Sequence, residues 1–153
     1  MFTAKVKVYF YDADPAGIIF YANLFKYVHA AYEDFLRNLY TQRNFFFDKD
    51  YILPIIHAEA DDLMPIRVGD ELRIDVSVST LKNSSFELNY RFYKDKDKFA
   101  AVAKTVHVCV LKKEFNKIEL PKDFYAKLKT NLDQAAWENM YGLLYPFLYA
   151  EFL

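Results

Sequence analysis

The sequence predicts an α+β domain, an antiparallel sheet wrapped around one long helix, from three observations. An unbroken helical pattern runs from about residue 22 to 40, alternating segments follow it, and polar turn signals separate those segments. The first alternating segment comes earlier, in "AKVKVYFY" at residues 4 to 11. It puts Val6, Val8 and Phe10 on one face and Lys5, Lys7 and Tyr9 on the other, as in a half-buried strand. In "ANLFKYVHAAYEDFLRNLY", Leu24, Tyr27, Val28, Ala31, Phe35 and Leu39 recur at spacings of three and four, giving a helix with a broad apolar stripe. No Gly or Pro interrupts it, and Ala30 and Ala31 permit close approach to a sheet.

Residues 41 to 54 form a connection that Pro54 ends, with "NFFF" at 44 to 47 expected as lid or core. Strand-like segments follow at about 55 to 64, 71 to 81, 85 to 94 and 100 to 112. The intervening "RVGDE", "KNSS" and "KDKDK" read as turns, short enough for a meandering antiparallel sheet. "LPKDFYAKLKTNL" reads as a short helix with Pro121 near its first turn. Beyond the domain at 1 to 130, residues 131 to 153 carry only Asp133, Glu138 and Glu151 as charges. That apolar extension is expected to pack on the domain or on a neighbouring subunit.

Composition narrows the function. A chain of 153 residues forms one domain. Its 54% hydrophobic and 19% aromatic content exceeds the needs of a small soluble core. Some of that surface is therefore expected between subunits or around a ligand. The net charge of −1 leaves no basic footprint for nucleic acid. No apolar run reaches the roughly 18 to 20 residues that span a bilayer, and no signal-peptide pattern opens the chain, so a cytoplasmic location is expected. Cys109 is the single cysteine, in the alternating "TVHVCVL", and reads as a buried structural thiol. One Cys and three scattered His give no metal constellation.

The chemistry concentrates in "YDADPAGIIFYANL", residues 11 to 24. Pro15 drives Asp14 toward extended backbone, and Gly17 permits a positive φ or close approach of a ligand. The helix begins a few residues later, so its unpaired N–H groups and positive dipole end share this space with a carboxylate. Such a pairing serves acyl transfer. The N–H groups stabilise an oxyanion, and the carboxylate activates water or attacks the carbonyl carbon. The same residues also admit a plainer reading, in which Asp12 or Asp14 caps the helix or braces the turn.

"DADPAGIIFYANLFKYVHAAYEDFL" resembles the hotdog-fold acyl-CoA thioesterases, specifically the 4-hydroxybenzoyl-CoA thioesterase family with its D-x-D-x-x-G-apolar-apolar-aromatic signature. "LMPIRVGDELRIDVSV" is similar to that family's Pro-x-x-x-Gly-Asp-x-Leu segment, and the likeness spans roughly residues 4 to 125. The resemblance implies a thioester hydrolase releasing a free acid and coenzyme A, with no cofactor beyond the substrate's own coenzyme. It implies that Asp14 is the catalytic carboxylate, acting as nucleophile or general base. Gly17 then shapes the turn, and the N–H of Tyr21 polarises the carbonyl. Many relatives have His where Tyr21 stands, whereas Tyr is similar to the 4-hydroxybenzoyl-CoA branch. Asn23, which matches that branch, is expected to cap the helix or touch substrate.

The resemblance further implies a homodimer or homotetramer, with sheets edge to edge and coenzyme A lying toward a neighbouring subunit. Lys82, Asn83, Ser84, Ser85 and Arg67 are its candidate coenzyme contacts, against the plainer reading of a solvated hairpin turn. His57 is a candidate pocket residue, while His29 is expected to pack or face solvent and His107 to be an ordinary strand residue. Phe20, Tyr27, Tyr32 and "NFFF" could line an acyl pocket or be core. Asp61 and Asp62, adjacent in a strand, point to opposite faces and cannot work as a pair. Competing readings are a thioesterase for acyl-carrier-protein substrates, a dehydratase, which would call for a site His, and a non-catalytic acyl-binding or assembly protein.

Overall fold

The computed structural model describes residues 1–40 and 49–133. The "NFFF" run and most of the apolar extension lie outside the described residues. In chain order the elements are β1 (Phe2–Lys7), a one-turn 3-10 helix (Phe10–Asp12), α1 (Tyr21–Leu39), β2 (Tyr51–Ile52), β3 (Ile55–Asp62) and β4 (Glu71–Leu81). Then come β5 (Ser85–Lys94), β6 (Lys98–Val108), β7 (Val110–Leu111) and α2 (Lys122–Lys129). Five strands form one antiparallel sheet in the order β1-β4-β5-β6-β3, and β2 pairs with β7 beside it.

The alternation explains the layers. Leu72, Ile74, Val76 and Val78 of β4, and Phe86, Leu88, Tyr90 and Phe92 of β5, point inward and are buried. Against them lies the α1 stripe of Leu24, Tyr27, Val28, Ala31, Tyr32, Phe35 and Leu36. Ala31, Ala101 and Ala103 have no exposed surface, and their small side chains let helix and sheet approach closely. The C-terminal end of α1 is tied down by α2. Lys127 donates from Nζ to the Leu39 carbonyl at 2.7 Å, and the Tyr40 hydroxyl donates to Asp123 at 3.1 Å. Cys109 is buried, as expected, and burial pushes its thiol up to about 11.

Two expectations are corrected. The sheet meanders only through β4, β5 and β6, because β3 sits on the far edge beside β6 rather than next to β4. Residues 63–70 therefore cross the end of the sheet, and this crossing supports the site described below. The first strand also stops at Lys7, and the 3-10 turn leaves Phe10 87% exposed instead of inward. Residues 131–133 continue along the edge of β4 past β1, where the Asn131 carbonyl accepts from Val78 N–H and Asp133 N–H donates back to Val78. Among the described residues, no helix is long and apolar enough to cross a membrane.

Candidate active site

The motif folds as a short hairpin. Gly17 N–H donates to the Asp14 carbonyl at 3.0 Å, and Asp14 N–H donates to the Ile18 carbonyl at 2.9 Å. Pro15 then occupies the second position of the turn, where its fixed φ fits, and Gly17 takes the left-handed position with φ +74°. A Cβ built on Gly17 would meet nothing within 4 Å. What calls for glycine within this chain is the backbone conformation.

The two acids of the motif part company. Asp12 is 2% exposed. Its carboxylate accepts from the Tyr9 N–H at 3.1 Å and lies 3.6 Å from the Lys26 ammonium. Its backbone carbonyl accepts from both Phe20 N–H and the Asn23 side-chain amide, at 2.9 and 2.7 Å. Burial and the nearby Asp12 carboxylate also hold the Tyr27 hydroxyl well above the ordinary tyrosine range. Asp12 is thus a buried anchor joining the turn to α1. Asp14 is exposed, with Oδ1 accepting the Ala16 N–H at 2.8 Å and no other hydrogen bond to its carboxylate among the described residues.

Neither acid caps the helix. The N-cap is Phe20, which has no side-chain cap bond, and no acidic residue occupies the first turn. Asn23 does not cap it either, since its amide reaches back to Asp12. The N–H of Tyr21, the first helical residue, has no acceptor among the described residues. An unblocked donor end of a 19-residue helix therefore opens a few residues after an exposed carboxylate.

The crossing segment fixes this arrangement from below. Ile19 N–H donates to the Ile66 carbonyl at 2.9 Å, Val68 N–H to the Gly17 carbonyl at 3.2 Å, and Ile18 faces Arg67 in an isolated bridge. Asp70 shapes the segment by accepting the Arg67 N–H at 2.8 Å, and Lys94 pairs with Asp70 at 3.3 Å. The two sequence motifs, some 50 positions apart, thereby become one structural unit.

Asp14, Gly17, Phe20, Tyr21, Asn23 and Arg67 are brought together, with the Phe20 and Tyr21 rings 4.6 Å apart, tilted by 50° and both exposed. His57 is not. It faces away from the helix, paired opposite Val106, and hydrogen-bonds Glu59 at 2.7 Å. Lys82, Asn83, Ser84 and Ser85 form the turn at the other end of β4, roughly 35 Å away along an 11-residue strand. Within one chain that turn is structural, since the Asn83 and Ser84 carbonyls accept from Leu120 and Cys109.

A groove of about 220 Å³ runs between α1 and the edge strand β3. Phe25, Val28, His29 and Tyr32 line it from the helix, Ile55 and Ala58 from β3, and Tyr90 and Thr105 from the sheet. Phe25 stands about one helical turn after Tyr21, so the groove leads away from the donor end. The Tyr90 hydroxyl and Thr105 Oγ1 lie 2.9 Å apart, and Thr105 Oγ1 lies 2.7 Å from His107 Nε2. His107 is wholly buried, stacked on Phe86 at 4.7 Å, and desolvation brings its pKa down to about 4. Tyr27 packs in the core away from this lining, whereas Tyr32 joins it. Tyr90 and Thr105 are buried at inward strand positions, where alternation alone marks core and not a polar site.

Residues 8–128 match the family model of the thioesterase-like superfamily. The chain belongs to that superfamily. It is 35% identical over 130 residues to a 1,4-dihydroxy-2-naphthoyl-CoA hydrolase of Thermosynechococcus vestitus, covering 84% of this chain and 89% of that one. Among solved structures it is similar to a 1,4-dihydroxy-2-naphthoyl-CoA thioesterase from Synechocystis, at TM-score 0.76 and 28% identity over 84% of this chain and 95% of the other. A gentisyl-coenzyme A thioesterase also superposes, at TM-score 0.73 and 27% identity over 83% and 98% of the two chains. The sheet wrapped on α1 is the hotdog fold, and this protein is an acyl-CoA thioester hydrolase.

Proposed function

We propose that this thioesterase hydrolyses a hydroxylated aromatic acyl-CoA of the 1,4-dihydroxy-2-naphthoyl class, with Asp14 as its catalytic carboxylate. The observation that carries this reading is the pairing of an exposed Asp14 with the open N-terminus of α1. The thioester carbonyl accepts from the Tyr21 N–H, whose bond strengthens as negative charge collects on oxygen. Asp14 either takes a proton from water as the hydroxyl oxygen bonds to the carbonyl carbon, or bonds to that carbon directly to form an anhydride that water then opens. In both routes the C–S bond breaks, and the departing coenzyme A thiolate takes up a proton. The groove beside Phe25 accepts the acyl ring, and the relatives' activities favour an aromatic occupant over a fatty chain.

The working unit is a homodimer joined along β3. That strand is the sheet edge, and it exposes Ile55 and Ile56, a combination that invites pairing with a second chain. A neighbouring subunit is also the setting in which Lys82, Asn83, Ser84 and Ser85 would reach the coenzyme, given their distance from Asp14 in one chain. Molar mass by light scattering tests the dimer, and a monomer at working concentration would sink it.

The decisive assay is thiol release from aromatic and fatty acyl-CoAs by wild type and Asp14→Asn. A loss of about 10²- to 10⁴-fold in kcat is expected for the variant. Full activity in Asp14→Asn would remove that residue from the mechanism, and preference for fatty substrates would overturn the aromatic assignment.

A further inference from the structure

Asp62 ends β3, and its position follows from the register. Ala58, Ala60 and Asp62 pair opposite Thr105, Ala103 and Ala101, so they share one face of the strand. Ala58 lines the groove and Ala60 packs on the core, which puts Asp62 on the helix side, while Asp61 faces the opposite side. Leu63 and Met64 both donate to the Ala100 carbonyl, at 2.9 and 3.2 Å, which holds the strand end in place.

The level of Asp62 along α1 is also fixed. Ala58 lies beside the Phe25–Tyr32 stretch, and Ile66 is bonded to Ile19 just before the helix starts. Ala58 to Asp62 is about 13 Å of strand, and Val28 back to Tyr21 is about 10 Å of helix. Asp62 therefore stands level with the first turn of α1, beyond the Phe25 and Ala58 end of the groove. Among the described residues no hydrogen bond or ion pair reaches its carboxylate. In the single chain the Asp62 side chain is exposed, and the protein atoms around the strand end, then the charge of Asp61, raise its pKa above the ordinary aspartate value.

Resting on the proposed aromatic acyl-CoA reading, we infer that Asp62 is a specificity residue that accepts a hydrogen bond from a hydroxyl ortho to the thioester carbonyl. With the carbonyl at the Tyr21 N–H and the ring in the groove, the ortho position is the part of the ring that stays at this level. Acyl groups carrying such a hydroxyl include 1,4-dihydroxy-2-naphthoyl and gentisyl, the groups handled by two of the similar proteins. A carboxylate with no partner of its own, covered only when the ring lies against it, gains from an incoming O–H donor and is left unpaired under a ring that lacks one.

The test compares kcat/KM for 2-hydroxybenzoyl-CoA and benzoyl-CoA in the full-length enzyme. Asp62→Ala should lower the ratio of the two by roughly 10- to 100-fold. Asp62→Asn, which keeps the shape and a neutral acceptor, should lower it several-fold and serves if the alanine variant does not fold. Glu59→Gln, on the other face of β3 opposite Lys104, should leave the ratio alone. Wild-type hydrolysis with a ratio unchanged in both Asp62 variants overturns this inference and spares the aromatic reading. Absence of aromatic hydrolysis in wild type overturns both.

Discussion

Replacing Gly17 separates two physical reasons for a glycine. The residue holds φ +74°, and an added Cβ would touch no atom within 4 Å. Gly17→Ala therefore carries no packing term. It carries the left-handed strain of an L residue, about 1–2 kcal/mol, reduced by about 0.4–1 kcal/mol because alanine restricts the unfolded chain. The net loss expected is about 1 kcal/mol, or roughly 2–4 °C in Tm for a chain of this size. Gly17→Asn should lose less than Gly17→Ala, since asparagine tolerates this conformation. Urea unfolding at one fixed protein concentration measures both, because any oligomer makes stability concentration-dependent. A loss above about 3 kcal/mol in Gly17→Ala, or Asn no better than Ala, would refute the conformational argument. The companion measurement is KM. If the glycine instead clears room for substrate, KM rises in Gly17→Ala while stability falls by the same modest amount.

The Tyr21 backbone and side chain can be tested apart. Tyr21 is the first helical residue, where proline is tolerated, and Phe20 at φ −61°, ψ 128° already has the extended backbone that precedes a proline. Tyr21→Pro should keep the fold while lowering kcat about 10²- to 10³-fold through loss of the donor, whereas Tyr21→Phe should stay near wild type. Equal activity in the two variants would remove the backbone donor from the mechanism. His107 makes a pH prediction. Its pKa falls from 6.5 to about 4 on folding, so the unfolded chain binds the extra proton between those values. Stability from this group is fully present above pH 6.5 and is lost as pH drops toward 4, by about 3 kcal/mol. His107→Phe should flatten the stability profile in that window, and an unchanged slope would show that His107 is not its source.

Several features of the site were legible because they are local. Period-two and period-three-to-four patterns placed β4 and β5 at their observed bounds and α1 within one residue of its ends. Pro15 and Gly17 in "DPAG" announced the turn, since their allowed backbone angles are intrinsic. Of the two plainer roles open to the motif acids, bracing the turn is the one found, with Asp14 accepting from Ala16, while neither acid caps the helix. Alternation also implied that Asp61 and Asp62 part ways, though not that Asp62 ends up beside the helix start. Phe10 departs from the alternation because the chain leaves its strand at Lys7 and enters a 3-10 turn, and no composition signal marks that exit.

By itself, then, the sequence determined the helix, the central strands, the motif turn and the class of reaction its residues resemble. Only the tertiary structure decided that β3 crosses to the far edge, that Arg67 rather than His57 meets the motif, and that Asp12 is buried while Asp14 is open. It also decided that Tyr90, Thr105 and His107 form a polar chain at the groove. The division has a physical cause. Periodicity encodes which face of each element avoids water, but which elements become neighbours depends on closing long loops and on which apolar faces fit together.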